Sequence, residues 1–460
     1  MFIRLSIPFV LGAVVLAGAF DPLQHAGPAS PYFDAPSQIP SSTPPNCKVD
    51  QAAYILRHGA RYPEPGSFGG WQNLHAKLQN ATYTARGPLA FIRSWSPPVD
   101  DAPHQPLYLT STGAGEAFAL GVDLRKRYGF TKGGDNFTVW AASQQRCVDT
   151  STYFLRGYLS QGNYLATPEL NRGRSILLAD SVSYTHANSL TPSAACPAYA
   201  SGSTGSAKAN AYRATYQARV AQRLNTFLDG LTLDAGDIGP MQDLCGFQAG
   251  INGDTRFCDI FEESEWLDYE YAHDLNYFYG SGPGNPVSAA TGYPWVKAVS
   301  DIFAAGPNAP TKGGLVPPPL IMGFTHDNNL PPVVAALGLW NATLSPTTPD
   351  PSRSFRASHV VAFRSYVALE RMSCTAEGTS TNDVFVRVRI NRAPVAIPGC
   401  ASGPGASCPL KAFLAHVEER GVASGDFVQK CALQDVKNAT SVASFLTTIP
   451  DPADVQLVSL

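Results

Sequence analysis

The sequence predicts an α/β fold, in which a parallel sheet is flanked by helices and a mainly α-helical cap domain is inserted into the chain. Two observations lead to this prediction. Apolar runs of strand length recur at Ala52–Leu56, Phe137–Ala142 and Pro319–Phe324, and each is followed by a segment with helical periodicity. Between residues 163 and 318, in contrast, strand patterns fade and helical patterns dominate.

The same patterns divide the chain into segments. Residues 20–46 are crowded with proline and small residues, which is typical of an extended linker or an arm draped over the surface. Alternating residues near residues 360–370 and 383–389 predict two further strands after the cap. The predicted segments are a signal peptide (1–19), a Pro-rich arm (20–46), an α/β core (47–162 and 319–460) and a helical cap (163–318).

The first apolar run ends in a cluster of charged residues. Arg57, His58 and Arg61 follow it closely, and Gly59 leaves space for a ligand beside the imidazole. In parallel sheets that are covered on both faces, ligands bind at the carboxyl ends of the strands. Two arginines offer planar, permanently charged groups that suit phosphate oxygens, and a histidine between them offers a nitrogen as nucleophile or base. This stretch therefore predicts an anion-binding active site.

The other two apolar runs end in residues of the same kind. The second run is followed, after three residues, by Arg146. The third leads through Thr325 to His326 and Asp327. Because parallel strands have their carboxyl ends at one edge of the sheet, we expect these side chains to lie beside Arg57.

The seven-residue string from Arg57 to Pro63 resembles the signature of the histidine acid phosphatases, and its spelling is most similar to that of the secreted fungal phytases. The pair His326 and Asp327 resembles the second signature of that family. The resemblance implies a phosphoglycerate-mutase-like sheet and a phosphohistidine mechanism without metal or cofactor. It implies His58 as the nucleophile and Asp327 as the proton donor to the leaving oxygen. The residues implied to hold the phosphoryl oxygens are Arg57, Arg61, Arg146 and His326.

These roles predict an enzyme that works in mild acid. The arginines around His58 disfavour a further positive charge, so we expect its pKa to lie below the ~6.5 of a free imidazole. Asp327 must carry a proton when the free enzyme meets its substrate, and the protonated fraction falls as the pH rises.

Phytate is the leading substrate that the resemblance implies, but the chain departs from the fungal phytase pattern in two places. Glu64 stands where threonine is common, and residues 65–71 contain no lysine. Asn276–Phe278 stand where some phytases have paired lysines, a loss for which Arg86 and Arg93 would compensate. A histidine acid phosphatase of broad specificity is therefore the alternative.

Other classes of protein fit the sequence less well. A phosphoglycerate-mutase-like transferase shares the Arg-His-Gly element, but export would separate it from glycolytic substrates. A non-catalytic phosphate-binding protein on this fold would typically lack His58 or Asp327, and the chain has both. A nucleic-acid-binding protein needs a basic surface, whereas the formal net charge here is -3. We expect small phosphate esters, including inositol phosphates, as the partners of a monomer.

The N-terminus predicts export. Met1–Ala19 has the charged start, the apolar middle and the small-residue exit of a secretory signal peptide. Its apolar run is shorter than the ~20 residues that span a bilayer, and no later stretch qualifies, so we expect a secreted protein without a membrane anchor. Four sequons then become candidate glycosylation sites, at Asn80, Asn136, Asn341 and Asn438.

The chain has 9 cysteines, an odd number that in an oxidising compartment suggests four bridges and one remaining thiol. Cys245 with Cys258 and Cys400 with Cys408 are close enough in the chain to close small loops, although sequence alone permits many pairings. The resemblance to fungal phytases adds Cys47 with Cys374 and Cys196 with Cys431, which leaves Cys147. A zinc site is the alternative, but the sequence contains no Cys-x-x-Cys pair.

Overall fold

The computed structural model describes residues 20–130, 137–159, 173–180, 185–375, 382–452 and 455–457. Its strands are β1 (Cys47–Arg57), β2 (Thr84–Ala85), β3 (Phe137–Ala142), β4 (Gly173–Leu178), β5 (Leu228–Asp229), β6 (Leu320–Thr325), β7 (Tyr366–Thr375), β8 (Asn382–Ile390), β9 (Ala393–Val395), β10 (Cys408–Pro409) and β11 (Val455–Leu457). Its helices are α1 (Pro65–Asn80), α2 (Ser111–Tyr128), α3 (Gln145–Leu159), α4 (Pro197–Gly202), α5 (Gly205–Asn225), α6 (Ala235–Ile251), α7 (Glu263–Gly280), α8 (Ser288–Ala305), α9 (Leu330–Ala336), α10 (Ala357–Val360), α11 (Leu410–Ser424) and α12 (Phe427–Lys430).

Nine of the strands form one sheet in the order β10-β8-β7-β1-β6-β3-β4-β11, with β9 paired to β8. The centre is parallel, since β1 pairs with β6, β6 with β3 and β3 with β4 in that sense. The margins are antiparallel, at β7 and β8 on one side and β11 on the other. The prediction of an α/β fold with a parallel sheet is confirmed for the centre, where four parallel strands end at one edge.

Helices cover both faces of the sheet, which explains why the central strands are continuously apolar. In β1, Ala52, Tyr54 and Leu56 pack in a core with α2 and α3. Their neighbours Ala53 and Ile55 pack in a second core with α8, α9 and the helices α5, α6 and α7. Alternate residues of one strand therefore hold the two layers together.

The structure differs from the expected elements at β4 and β7. Strand β4 lies within the range expected to be helical, and it pairs with β3 from Phe137 opposite Gly173 to Ala142 opposite Leu178. Gly173, Arg174 and Ser175 interrupt its apolar pattern, so the pairing depends on a tertiary contact. Strand β7 begins at Tyr366 rather than near residue 360, because α10 and a turn with Arg364 at φ 61° occupy the intervening residues.

Helices α5, α6 and α7 belong to the core on one face of the sheet, and α5 packs against both of the others. Tyr212, Tyr216, Val220 and Leu224 recur every four residues along α5 and are all buried, so they form a packing stripe on one side of that helix. The Tyr212 hydroxyl donates a hydrogen bond to Asp268 of α7 at 2.6 Å. Helix α8, in the same predicted segment, packs against α9 so closely that a Cβ on Gly292 would lie 2.1 Å from the Pro332 carbonyl oxygen.

The N-terminal arm consists of two different parts. Residues 31–46 are mostly exposed, as expected for a surface arm. Residues 20–30 instead form two short 3₁₀ turns, Pro22–His25 and Gly27–Ala29, and Ala26, Ala29 and Ser30 are buried. The first part of the arm is therefore packed into the protein.

The predicted disulfides are confirmed as Cys47–Cys374, Cys196–Cys431, Cys245–Cys258 and Cys400–Cys408. Cys147 is a buried thiol, as expected. Asn80, Asn341 and Asn438 are exposed, whereas Asn136 and the predicted signal peptide lie outside the described residues. Within the described ranges, none of the helices combines the length and apolar character needed to cross a bilayer.

Candidate active site

The predicted site residues meet at the carboxyl edge of the parallel strands. Arg57 ends β1 opposite Thr325 at the end of β6, and β3 runs parallel to β6 on its other side. The backbone N–H of His58 donates to the Thr325 carbonyl oxygen at 2.9 Å, and its carbonyl accepts from the Arg364 N–H at 3.0 Å. The chain is thus held on both sides at the residue after the strand.

The His58 side chain is buried and has one nitrogen committed to a structural contact. Its Nδ1 lies 2.9 Å from the Gly59 carbonyl oxygen, which can only accept, so Nδ1 carries the proton and Nε2 keeps its lone pair. Burial, followed by the charges of Arg57, Arg146 and Arg61, holds the pKa of His58 well below its usual value. This confirms the expected direction and leaves Nε2 nucleophilic in acid.

Three arginines surround this histidine. Arg57 is 1% exposed, and its Nη2 lies 2.9 Å from Asp327 Oδ2. Arg61 Nη1 lies 2.8 Å from Glu64 Oε2, and Arg146 Nη2 lies 3.2 Å from His326 Nδ1. In all three arginines the Nε atom is buried and has no hydrogen-bond partner within the described part of the chain. Unused donors on three guanidinium groups are what a tetrahedral oxyanion requires.

His326 lies close to both His58 and Asp180. Its ring centroid lies 5.7 Å from that of His58, and its Nε2 lies 3.6 Å from Asp180 Oδ2. Asp180 is not among the residues predicted from the sequence, because β4 itself was not predicted. Asp180 follows that strand, whose carboxyl end lies at the same edge of the sheet.

Asp327 begins a 3₁₀ turn directly after β6, and its side chain is 22% exposed. Burial favours the neutral acid, but Arg57 and Arg61 outweigh it, so the pKa of Asp327 is lowered. The direct ion pair between Arg57 and Asp327 thus reduces the fraction of free enzyme in which this carboxyl carries the proton that its expected role requires.

A cavity of about 780 Å³ opens beside Asp327. Tyr277, which contacts the Asp327 carboxyl, and Asn328 belong to its wall. The other polar side chains in the wall include those of Ser193, Tyr199, Asn276 and Ser281. Among the described residues that line the cavity, none has a charged side chain. The site thus combines a cationic floor with an uncharged side chamber.

Comparison with known proteins agrees with this geometry. Residues 48–391 match the family described as histidine phosphatase superfamily (branch 2). An acid phosphatase of Komagataella pastoris is 32% identical over 434 residues, which cover 91% of this chain and 87% of that protein. A phytase of Candida albicans is 28% identical over 425 residues, which cover 89% of this chain and 87% of that protein.

The fold is also similar to a solved structure. The crystal structure of the phytase from D. castellii superposes with a TM-score of 0.82 at 24% sequence identity, over 94% of this chain and 93% of that one. With the family match, which extends from the start of β1 to the end of β8, this shows that the chain belongs to the histidine phosphatase superfamily, branch 2.

Proposed function

We propose that this protein hydrolyses phosphate monoesters in acid through a phosphohistidine on His58. The observation that carries the proposal is a histidine of lowered pKa, with Nε2 uncommitted, among three guanidinium groups whose buried Nε atoms have no partner in the described residues. A phosphoryl group bound there would supply acceptors for Arg57, Arg61 and Arg146.

In the first half-reaction the Nε2 lone pair of His58 attacks phosphorus, and the bond from phosphorus to the ester oxygen breaks. The arginines and His326 stabilise the charge on the phosphoryl oxygens. The carboxyl of Asp327 gives its proton to the departing oxygen, which leaves as an alcohol.

In the second half-reaction water attacks the phosphohistidine. The Asp327 carboxylate takes a proton from that water, the bond between phosphorus and Nε2 breaks, and the imidazole regains its lone pair. Phosphate is released, and Asp327 gives up the proton that it took from water as the freed arginines lower its pKa again.

The lowered pKa of Asp327 requires a source for the first proton. The arginines that keep the carboxyl ionised are the groups that the phosphate neutralises on binding. Substrate binding therefore raises the pKa of Asp327, and the proton enters with the substrate or from acidic solvent. An acidic optimum follows from this linked uptake.

Phytate and simpler monoesters are the two candidate substrate classes. Similarity to phytases supports phytate. The uncharged cavity beside Asp327 favours the second class, because the leaving group departs on the side of its proton donor and the described wall has no cation for further phosphates. If phytate is the substrate, Arg86 and Arg93 are the basic residues expected to compensate for the missing lysines.

The predicted signal peptide and sequons complete the proposal. The protein would be secreted as a monomer, with glycans on some of the sequons, of which Asn80, Asn341 and Asn438 are exposed. Small phosphate esters would be its partners.

The test is phosphate release from 4-nitrophenyl phosphate and from phytate at about pH 5 with a chelator present. The proposal expects turnover of at least one ester and an acid-labile, base-stable phosphoenzyme after rapid quenching. A protein that turns over neither ester would overturn it.

A further inference from the structure

The buried guanidinium of Arg57 has three differently occupied nitrogens. Nη1 donates to two backbone carbonyls, those of Pro28 and Val361. Nη2 faces Asp327, and Nε has no partner within the described residues. The contact with Pro28 comes from residues 26–30 of the N-terminal arm, which we call the anchor segment.

The anchor segment also holds the ring under this guanidinium. The Ser30 carbonyl accepts a hydrogen bond from the Phe363 N–H at 3.0 Å. The Arg57 Cζ lies 4.4 Å from the centroid of the Phe363 ring. One short stretch of chain thus fixes an edge of the guanidinium and the ring beneath its face.

Close packing fixes the anchor segment in turn. Gly27 has φ +57°, and a Cβ there would lie 2.8 Å from Cγ of His273 in α7. A Cβ on Gly246 of α6 would lie 2.3 Å from the Ala29 carbonyl oxygen. Just before the segment, His25 Nδ1 lies 3.3 Å from Glu270 Oε1 of α7. The segment is therefore wedged between two helices and Arg57.

These contacts suit an arginine that must bind an anion. A buried charge needs polar partners, and a carboxylate pairing with every donor would leave nothing for a ligand. Carbonyl dipoles stabilise the guanidinium on one side without cancelling its charge. They also stop it from rotating, so Nε and Nη2 keep one orientation.

We propose that the anchor segment, residues 26–30, is a positioning element that holds Arg57 for phosphate binding. The inference rests on the proposed function, since it assumes that Arg57 binds the phosphoryl group. It predicts that displacing a stretch of chain outside the signature weakens the affinity for phosphate.

The test compares Gly27→Ala with Gly129→Ala by the inhibition constant for inorganic phosphate. Both glycines have left-handed backbone, at φ +57° and φ +61°, but a Cβ on Gly129 meets nothing within 4 Å. Gly27→Ala should raise the inhibition constant and KM on the order of tenfold to a hundredfold, as expected for loss of a charged hydrogen bond. Gly129→Ala should leave both constants unchanged. A merely structural defect lowers the active fraction, which changes neither constant.

A double-mutant cycle identifies the residue through which the segment acts. Phosphate binding is measured by calorimetry for Gly27→Ala in the natural protein and in an Arg57→Lys background. The change in phosphate affinity caused by Gly27→Ala should largely vanish in that background, because lysine has no equivalent of the Nη1 that donates to the Pro28 carbonyl. A shift of equal size in both backgrounds would overturn the proposal.

The remaining outcomes separate the two claims. If the natural protein turns over esters and Gly27→Ala binds phosphate equally well, the positioning role falls and the proposed function stands. If the natural protein neither hydrolyses esters nor binds phosphate, both fall. Should Gly27→Ala not fold, His25→Ala decides, since it removes the contact with Glu270 and the stacking on Phe20 from a partly exposed side chain. It should raise the inhibition constant several-fold, and an unchanged constant would sink the proposal.

Discussion

Two groups of arginines bind carboxylates in this protein, one around Glu370 of β7 and one at the carboxyl end of β1, and their roles differ. In the Glu370 cluster, Arg127, Arg387 and Arg389 all donate to one carboxylate, at 2.7–3.0 Å. Glu370 is 0% exposed, and Tyr128 also donates to it. The anion at the centre of this cluster is part of the chain.

At the candidate active site the carboxylates lie at the margin. Arg57 and Arg61 pair with Asp327 and Glu64 respectively, so no single carboxylate accepts from both of these arginines. Where a carboxylate of the chain is the central anion, as at Glu370, the arginines around it stabilise the fold. Where no carboxylate of the chain is central, the same side chains remain able to bind an anion from solution.

Removing the nucleophile should separate the two groups most sharply. His58→Ala should lower kcat on the order of 10⁴-fold or more and abolish the phosphoenzyme, because no other group replaces a covalent nucleophile. The midpoint of thermal unfolding should remain near that of the natural protein. His104→Ala, at a side chain that is 79% exposed, is the control. Substantial turnover by His58→Ala would remove the phosphohistidine mechanism.

The leaving-group acid gives the next largest effect. Asp327→Asn should slow phosphoenzyme formation by about 10²- to 10⁴-fold with phytate, whose alkoxide is a poor leaving group without a proton. With 4-nitrophenyl phosphate the phenolate leaves unaided, so a rapid burst should precede slow turnover as phosphohistidine accumulates.

Rapid-quench measurement of both esters tests that difference. Equal slowing of the first step with the two substrates would mean that Asp327 is not the proton donor.

Breaking the Glu370 cluster should affect stability rather than chemistry. Glu370→Gln leaves the buried guanidinium groups of Arg387 and Arg389, and the partly buried one of Arg127, without their anion and should lower the free energy of unfolding by about 3–5 kcal/mol. KM should stay unchanged in the protein that remains folded. Glu418→Gln, which breaks a surface pair with Lys297, should cost about 0–1 kcal/mol in denaturant titrations. A large rise in KM for Glu370→Gln would blur the distinction between the two groups.

The stability that Glu370→Gln loses should depend on pH, and the loss should be smaller in acid. Burial opposes ionisation of Glu370, but Arg389, Arg127 and Arg387 outweigh it and lower its pKa from 4.5 to about 2. The pairing therefore stabilises the fold fully above pH 4.5, and its contribution is lost as the pH falls towards 2. The difference in free energy of unfolding between the natural protein and Glu370→Gln should therefore become smaller as the pH falls from 4.5 towards 2.

Cys147 should give the smallest effect although it adjoins the site. Its Sγ lies 3.4 Å from the Thr325 carbonyl oxygen, and burial raises the pKa of its thiol. Cys147→Ser should change the free energy of unfolding by less than about 1 kcal/mol, because a hydroxyl can make the same contact. Cys47→Ser is the contrast, since losing its bridge should cost about 2–5 kcal/mol. A disulfide at Cys147, found by mass spectrometry, would contradict this assignment.

The sheet edge and most of the residues on it could be predicted from local patterns in the chain. Long apolar runs identify strands buried on both faces, and the residues after them must meet where parallel strands end. Arg57, His58, Arg146, His326 and Asp327 could therefore be named from local pattern and family resemblance. The short spacing of Cys245 and Cys258, and of Cys400 and Cys408, indicated two candidate bridges. The two long-range bridges could be predicted only from the resemblance to fungal phytases.

Which charged side chains pair with each other could not be predicted from local patterns, because the pairing depends on the tertiary structure. Arg387 and Arg389 follow a strand pattern that sends alternate residues towards solvent, yet they are buried against Glu370 of the adjacent strand. Asp180 depends on β4, whose pairing with β3 outweighs its polar residues. The pKa of Asp327 and the contact of Pro28 with Arg57 arise between segments far apart in the chain, and a local pattern has no information about distances of that kind.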